Sequence, residues 1–161
     1  MSLIRGVDIP AVVVGDMERA LGFYRDLIGM EVVEVKGAGS EWSDEEQARW
    51  HAYHEECVGI PGARIQAVFL RAPDGSGLEL ISYLEPRREP QRRELSDAGT
   101  AVIPFAVTDS AAVVETLRAA GVEVAGGPVP YVLGGIRSNT TYIRDPDGNA
   151  ICLFEVVEDA T

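Results

Sequence analysis

Glu79 stands in an otherwise apolar run, Leu78-Glu79-Leu80-Ile81, where a carboxylate is chemically conspicuous. Alternation along a strand places it on one face with Ile81, and Leu78 and Leu80 on the other. Partial burial raises a carboxylate's pKa and makes it a usable general acid or base, or an anchor for a ligand hydroxyl or ammonium. A second concentration of reactive residue types is WHAYHEEC, in which His51, His54 and Cys57 fall at i, i+3 and i+6 and so along one side of a helix. Together with Glu79 these residues could form a displaced metal or acid-base site. Alternatively Trp50, His51, Tyr53 and His54 line a pocket for a flat, apolar ligand, since aromatic side chains supply large contact area at small entropy cost. Plain packing of a helix on a sheet explains the same pattern.

Other chemistries find less support. Cys152 sits in the apolar run Ile151-Cys152-Leu153, where a thiol keeps its proton, and no GxSxG elbow appears. The glycines of GVEVAGG and VLGGIRSN have neither the GxGxxG nor the GxxxxGK[ST] spacing of a phosphate cradle, so turns are expected there. Arg137, just after Gly134-Gly135, reads as a solvated hairpin arginine.

The elements that must position these residues follow from patterning. IPAVVV, residues 9–14, is a short β-branched run that stops at Gly15-Asp16, a turn and a helix N-cap. From Asp16 the segment DMERALGFYRDLIG puts Met17, Leu21, Tyr24, Leu27 and Ile28 on one helical face, with Gly29 as the stop. A strand is predicted over Met30 to Val35, a surface helix over Asp44 to Cys57, and a hairpin over Ala63 to Arg71 and Leu78 to Leu84, turning at Pro73-Asp74-Gly75. The prolines and alternating charges of EPRREPQRRE, residues 85–94, leave too little apolar surface to offset ordering entropy and predict a linker. Beyond it come a strand over Ala101 to Val107, a helix from Asp109 to Ala120, a strand starting at Val122, another near Ser138 to Ile143, and a last over Ile151 to Val157.

The order βαβββ thus occurs twice, and residues repeat with it. VVVGD ending at Asp16 answers FAVTD ending at Asp109, and GMEVVE answers GVEVAG. Pro73-Asp74-Gly75 with Leu78-Glu79-Leu80 answers Pro146-Asp147-Gly148 with Ile151-Cys152-Leu153, at an offset of 73 positions. Duplication and divergence is the simplest origin. The predicted fold class is α+β, two βαβββ modules. Residues 1–86 make the first module, with a helical insertion near 42–57, residues 87–99 the linker, and residues 100–161 the second module.

Composition bounds the partners. The chain has 161 residues, 46% of them hydrophobic, which suffices for one sizeable core or two small modules. Its 26 acidic and 14 basic residues give a net charge of -12, which repels phosphate backbones and anionic lipid, so neither nucleic acid nor a membrane is an expected partner. No stretch has the roughly 20 apolar residues that span a bilayer, and Met1 to Pro10 lacks the layout of an export signal. A cytoplasmic protein with both cysteines, Cys57 and Cys152, reduced is expected.

The two βαβββ halves, the segment ERALGFYRDLIGMEVV, the strand GLELISY and the closing RDPDGNAICLFE resemble the vicinal-oxygen-chelate superfamily, which includes glyoxalase I, extradiol dioxygenases and bleomycin-resistance proteins. The resemblance spans nearly the whole chain. It implies that curved mixed sheets form an open cup, with a divalent ion held by the first and last strands of each half. Mapped onto this sequence, the implied ligand positions fall on Ile9, Glu79, Val102 and Cys152, so that only Glu79 retains a ligand of the usual kind. A divalent catalytic metal needs three or more suitable protein ligands. The resulting expectation is a small-molecule-binding protein with no metal and no cofactor. It would work as an isomerase or lyase using Glu79, or as a non-catalytic sequestering protein of the antibiotic-resistance type; a metalloenzyme with a site rebuilt from His51, His54 and Glu79 is the remaining alternative. Ile9, Val102 and Cys152 are then pocket-lining residues, and the resemblance implies a homodimer. It also implies a loop over Val132 to Ser138 that closes on the pocket, with Arg137 meeting a ligand anion as the alternative to a solvated hairpin arginine.

Overall fold

The computed structural model describes residues 3–157; the outermost expected module limits, 1 and 161, lie outside them. The chain divides into two compact units, Met1–Pro90 and Gln91–Thr161, each built on a four-stranded mixed sheet.

In the first unit the strands are β1 (Ala11–Val13), β2 (Glu31–Lys36), β3 (Arg64–Arg71) and β4 (Gly77–Glu85), in the order β1-β4-β3-β2. β1 runs parallel to β4 and the other pairs are antiparallel. The Pro73-Asp74-Gly75 turn sets the β3–β4 register, which places Phe69 opposite Glu79 and Leu70 opposite Leu78. Asp74 Oδ1 accepts hydrogen bonds from the Ser76 backbone N–H (2.9 Å) and hydroxyl (2.6 Å), and Gly75 takes the positive φ that the turn demands.

Helix α1 (Met17–Leu21) starts where expected, with Asp16 Oδ1 accepting from Arg19 N at 3.0 Å, and buries Met17, Ala20 and Leu21. It then widens into a π-helical stretch over Gly22–Leu27, closed by Ile28 N donating to Phe23 O at 2.8 Å. A helix of uniform pitch puts Leu27 and Ile28 on the buried face. The wider turn buries Phe23 beside Tyr24, which is buried as expected, and Leu27 and Ile28 stay half-exposed. These rings share the core with Val12, Val14, Val68, Leu70, Leu78 and Leu80, which form one face of the sheet.

Helix α2 (Asp44–Val58) is begun by a capping box: Ser43 N donates to Glu46 Oε2 (2.8 Å), and Glu46 N donates to Ser43 Oγ (3.4 Å). Gly59 ends it with a left-handed φ of 66°. This helix has no counterpart among the described residues of the second unit, and it packs over the opposite face of β3, where Ile65 and Ala67 are buried.

The second unit repeats the plan with β5 (Val102–Ala106), α3 (Ser110–Ala119), β6 (Val129–Leu133), β7 (Ile136–Arg144) and β8 (Ala150–Val157), in the order β5-β8-β7-β6 with β5 parallel to β8. The strand expected from Val122 departs from prediction. Residues 123–125 make only a short pairing with β7, through Arg144 N to Glu123 O and Ala125 N to Tyr142 O, before Gly126-Gly127-Pro128 diverts the chain and β6 starts at Val129. Glu155 ties α3 to this sheet, accepting from Ser110 N (3.1 Å), Ser110 Oγ (2.6 Å) and Asn139 Nδ2 (3.0 Å). The segment after Gln91 is anchored to its own unit: Arg92 makes two hydrogen bonds to the Glu123 carboxylate, at 2.6 and 2.7 Å. No helix among the described residues is long and apolar enough to cross a membrane.

Leu80 is fully buried at the centre of the first sheet. Leu80→Ala is expected to cost about 2–5 kcal/mol through lost burial and the cavity left behind, measurable by urea denaturation.

Candidate functional site

The strand alternation read from the sequence is the one observed: Leu78, Leu80 and Ser82 are buried, while Glu79, Ile81 and Tyr83 are half-exposed on the other face. Register extends this face across the sheet. One transverse row runs Glu34, Phe69, Glu79, Ala11, and the next runs Lys36, Ala67, Ile81, Val13. Ile9, just before β1, shares the face by alternation, and its side chain lies where a Cβ on Gly77 would meet it at 3.2 Å.

α2 closes part of this face. Trp50 Nε1 donates to Ile65 O at 3.1 Å, so one hydrogen bond pins the indole to the sheet. That approach needs Gly37, whose φ is 75°: an added Cβ would stand 2.5 Å from Ile65 O and 2.9 Å from Trp50 Nε1. Trp50 carries the other rings with it, His54 at 3.9 Å between centroids, Trp42 edge-on at 5.5 Å and Tyr53 at 6.3 Å. His54 is buried, with Nδ1 3.0 Å from Trp50 O, whereas Tyr53 remains exposed.

Glu79 is therefore a half-buried carboxylate beside Phe69, and it has no hydrogen-bond or ion-pair partner for its side chain among the described residues. Burial raises its pKa above the ordinary carboxylate value, opposed by the charges of His54 and Lys36. His51 has Nδ1 buried without a hydrogen-bond partner among the described residues, and burial, then Arg64 and His54, lower its pKa. The first unit thus brings Glu79, His54, Trp50 and Ile9 to one face of its sheet. Sequence reading missed Lys36 and Phe69 there. Phe69 was within reach, because the Asp74-centred turn alone puts it opposite Glu79. Lys36 was not, because its place depends on a register shift between Val32 and Glu34.

In the second unit, Cys152 lies opposite Tyr142 and beside Pro104, on the face that also carries Val102, Phe154 and Val156. Burial raises the Cys152 pKa, partly offset by a hydrogen bond from Tyr142, so the thiol keeps its proton. Arg137 is exposed near the start of β7, and alternation puts it on the opposite face from Tyr142 and Cys152. The segment considered as a closing loop is a tight hairpin, in which Leu133 pairs with Ile136 and Gly134 and Gly135 both take positive φ.

The implied metal does not fit these residues. Ile9 and Val102 offer hydrocarbon, Cys152 a protonated thiol, and Glu79 one carboxylate, short of the three or more ligands that such an ion needs. Among the described residues no three His, Cys, Asp or Glu side chains cluster to hold a metal ion, and His51, His54 and Glu79 make no such group.

Docking of α2 is testable through Gly37. Gly37→Ala combines a left-handed backbone penalty of about 1–2 kcal/mol with the clash at Ile65 O. It is expected to lower stability beyond that penalty and to shift the Trp50 fluorescence toward that of an exposed indole.

Comparison with known proteins places the fold. A search among curated proteins returned no match. Among solved structures, a glyoxalase family protein from Bacillus cereus is 22% identical over 98% of this chain and 97% of its own, with a TM-score of 0.77. A glyoxalase/dioxygenase from Nostoc punctiforme is 22% identical over 96% and 92%, with a TM-score of 0.62. The trypanothione-dependent glyoxalase I of Leishmania major is 21% identical over 94% and 87%, with a TM-score of 0.59. At these identities the likeness is one of fold. The family model for the glyoxalase/bleomycin resistance protein/dioxygenase superfamily matches residues 6–153, and the chain belongs to that superfamily.

Proposed function

We propose that this protein binds a small organic molecule on the open face of its first sheet, and that Glu79 exchanges a proton with it in an isomerase or lyase reaction without a metal at the superfamily's usual ligand positions. The observation that carries this reading is the state of Glu79, a half-buried carboxylate with a raised pKa and no side-chain hydrogen bond among the described residues, set beside aromatic side chains. A structural glutamate on a strand is either solvated or paired. Glu79 is unpaired among the described residues and only partly solvated, so its carboxylate gains from a proton or a donor that a ligand brings. Trp50, Phe69 and Ile81 supply the apolar contact that holds a flat ligand beside it.

The chemistry asked of Glu79 is removal of an acidic C–H proton next to a carbonyl and its return to the same or a neighbouring carbon. The test is deuterium exchange in D2O, followed by NMR, on 2-oxo thioesters, hemithioacetals and polyketide-like carbonyl compounds. Glu79→Gln is expected to lower exchange by about 10²–10⁴-fold, with the wild-type rate unaffected by EDTA. Unchanged exchange in the variant rejects the role; binding with no exchange in either protein assigns the site to ligand sequestration.

The raised pKa sets two pH dependences. A base must be ionised, so the acid limb of the rate profile should lie above 4.5 and vanish in Glu79→Gln. For stability the sign is the reverse of a paired carboxylate. The unfolded chain releases this proton at lower pH than the folded one, so the contribution of Glu79 is present below the unfolded pKa and lost as pH rises through the folded value. Thermal melts should therefore show Glu79→Gln gaining on wild type as the pH is raised from about 4 to about 7.

A further inference from the structure

Lys36 is the cation of the same face, and it is held in place. Its Nζ stands 4.7 Å from the Phe69 ring centroid, 5.8 Å from that of Trp50 and 3.3 Å from Glu34 Oε2. Phe69 lies between Glu34 and Glu79 in the transverse row, so the ammonium stands over the aromatic floor next to Glu79. Ring faces fix a cation electrostatically but leave its N–H groups short of strong acceptors. An ammonium has three donors, and the Glu34 carboxylate, itself half-exposed, engages it in a weak pair. Lys36 is thus an oriented, partly desolvated donor with capacity left for an anionic oxygen, in a chain whose net charge of -12 otherwise disfavours anions.

We infer that Lys36 holds the oxygen of the ligand that becomes negative, and that the site takes flat conjugated or aryl carbonyl compounds lying over Phe69 and Ile81 between Lys36 and Glu79. The proton-transfer half of this inference rests on the reading of Glu79 above; the oxyanion-binding half does not. In the step, the C–H bond next to the carbonyl breaks and its proton passes to a Glu79 carboxylate oxygen. The C–H electron pair becomes a carbon–carbon π bond and the carbonyl π pair moves onto oxygen, forming an enolate that Lys36 hydrogen-bonds. Return of the proton to the carbon that lost it re-forms the C–H bond and the carbonyl, so no oxidant, reductant or cofactor is consumed. An ammonium placed where negative charge develops favours the enolate over the ketone, and so lowers the barrier rather than only strengthening binding.

The probe is para-nitrophenol, a flat conjugated oxyanion whose ionised and neutral forms absorb at different wavelengths. Wild type and Glu79→Gln are expected to bind the phenolate in preference to the phenol and to lower its apparent pKa on binding. Lys36→Met, which keeps the stem on the rings, should weaken phenolate binding by about 10- to 100-fold and leave phenol binding nearly unchanged, with Lys36→Arg restoring most of the preference. Equal phenolate preference in wild type and Lys36→Met overturns the inference, as does a folded wild type that binds neither form. If Lys36→Met does not fold, protection of Lys36 in the wild type from acetic anhydride by para-nitrophenolate decides the matter: protection supports the contact and its absence overturns it. Failure of the Glu79 reading looks different, with unchanged proton exchange in Glu79→Gln and the Lys36-dependent phenolate preference intact.

Discussion

The two-residue alternation of β4, locked between a parallel and an antiparallel neighbour, is the constraint on which the first unit depends. Leu78 and Leu80 must face α1 to build the core, so Glu79 has no choice but to project from the other side. A one-residue slip would bury the carboxylate against Phe23 and Tyr24 and expose two leucines, losing both apolar burial and solvation. The hairpin turn at Asp74 and the parallel pairing with β1 oppose that slip from both sides. What makes Glu79 chemically unusual is thus a by-product of how the core is secured.

The second constraint is the seat of α2. A single indole-to-carbonyl hydrogen bond, made possible by the missing side chain at Gly37, lays Trp50 and His54 over a sheet face that is otherwise open. This partial cover reduces the hydration of Glu79 without pairing it, and it supplies one of the two rings that hold Lys36. The second unit has the same sheet order but no such helix among the described residues, and the corresponding face carries Val102, Tyr142, Cys152 and Phe154. The two halves therefore differ chemically, with the charged groups concentrated where α2 packs and an apolar surface on the corresponding face of the second sheet.

Membership of the superfamily does not rest on the side chains at the ligand positions that the resemblance implies. The fold is maintained by the hydrophobic alternation and by turns such as Pro146-Asp147-Gly148, where Asp145 accepts from Asp147 N at 3.0 Å and Asn149 N at 2.8 Å. Neither depends on what occupies positions 9, 79, 102 and 152. Those side chains project from the open faces, so exchanging histidine for Ile9 or Val102 costs the cores nothing while removing the donors.

Much of the architecture was legible in the amino-acid order, because strand alternation, the Asp16 and Asp109 N-caps and the glycine stops are local signals. So was the facing of Glu79, since alternation needs only its neighbours. The π-helical widening after Leu21 and the late start of β6 were not, because each is settled by packing or pairing with a distant segment that overrides local preference. The surroundings of Glu79 belong to the same class. Phe69 follows from one hairpin, but Lys36 arrives through a bulged pairing and the Trp50 and His54 rings through a helix docked across the sheet. The sequence by itself determined which strand face carries the carboxylate. Only the tertiary structure decided what stands beside it, because desolvation and charge depend on distances between elements that the chain order does not specify.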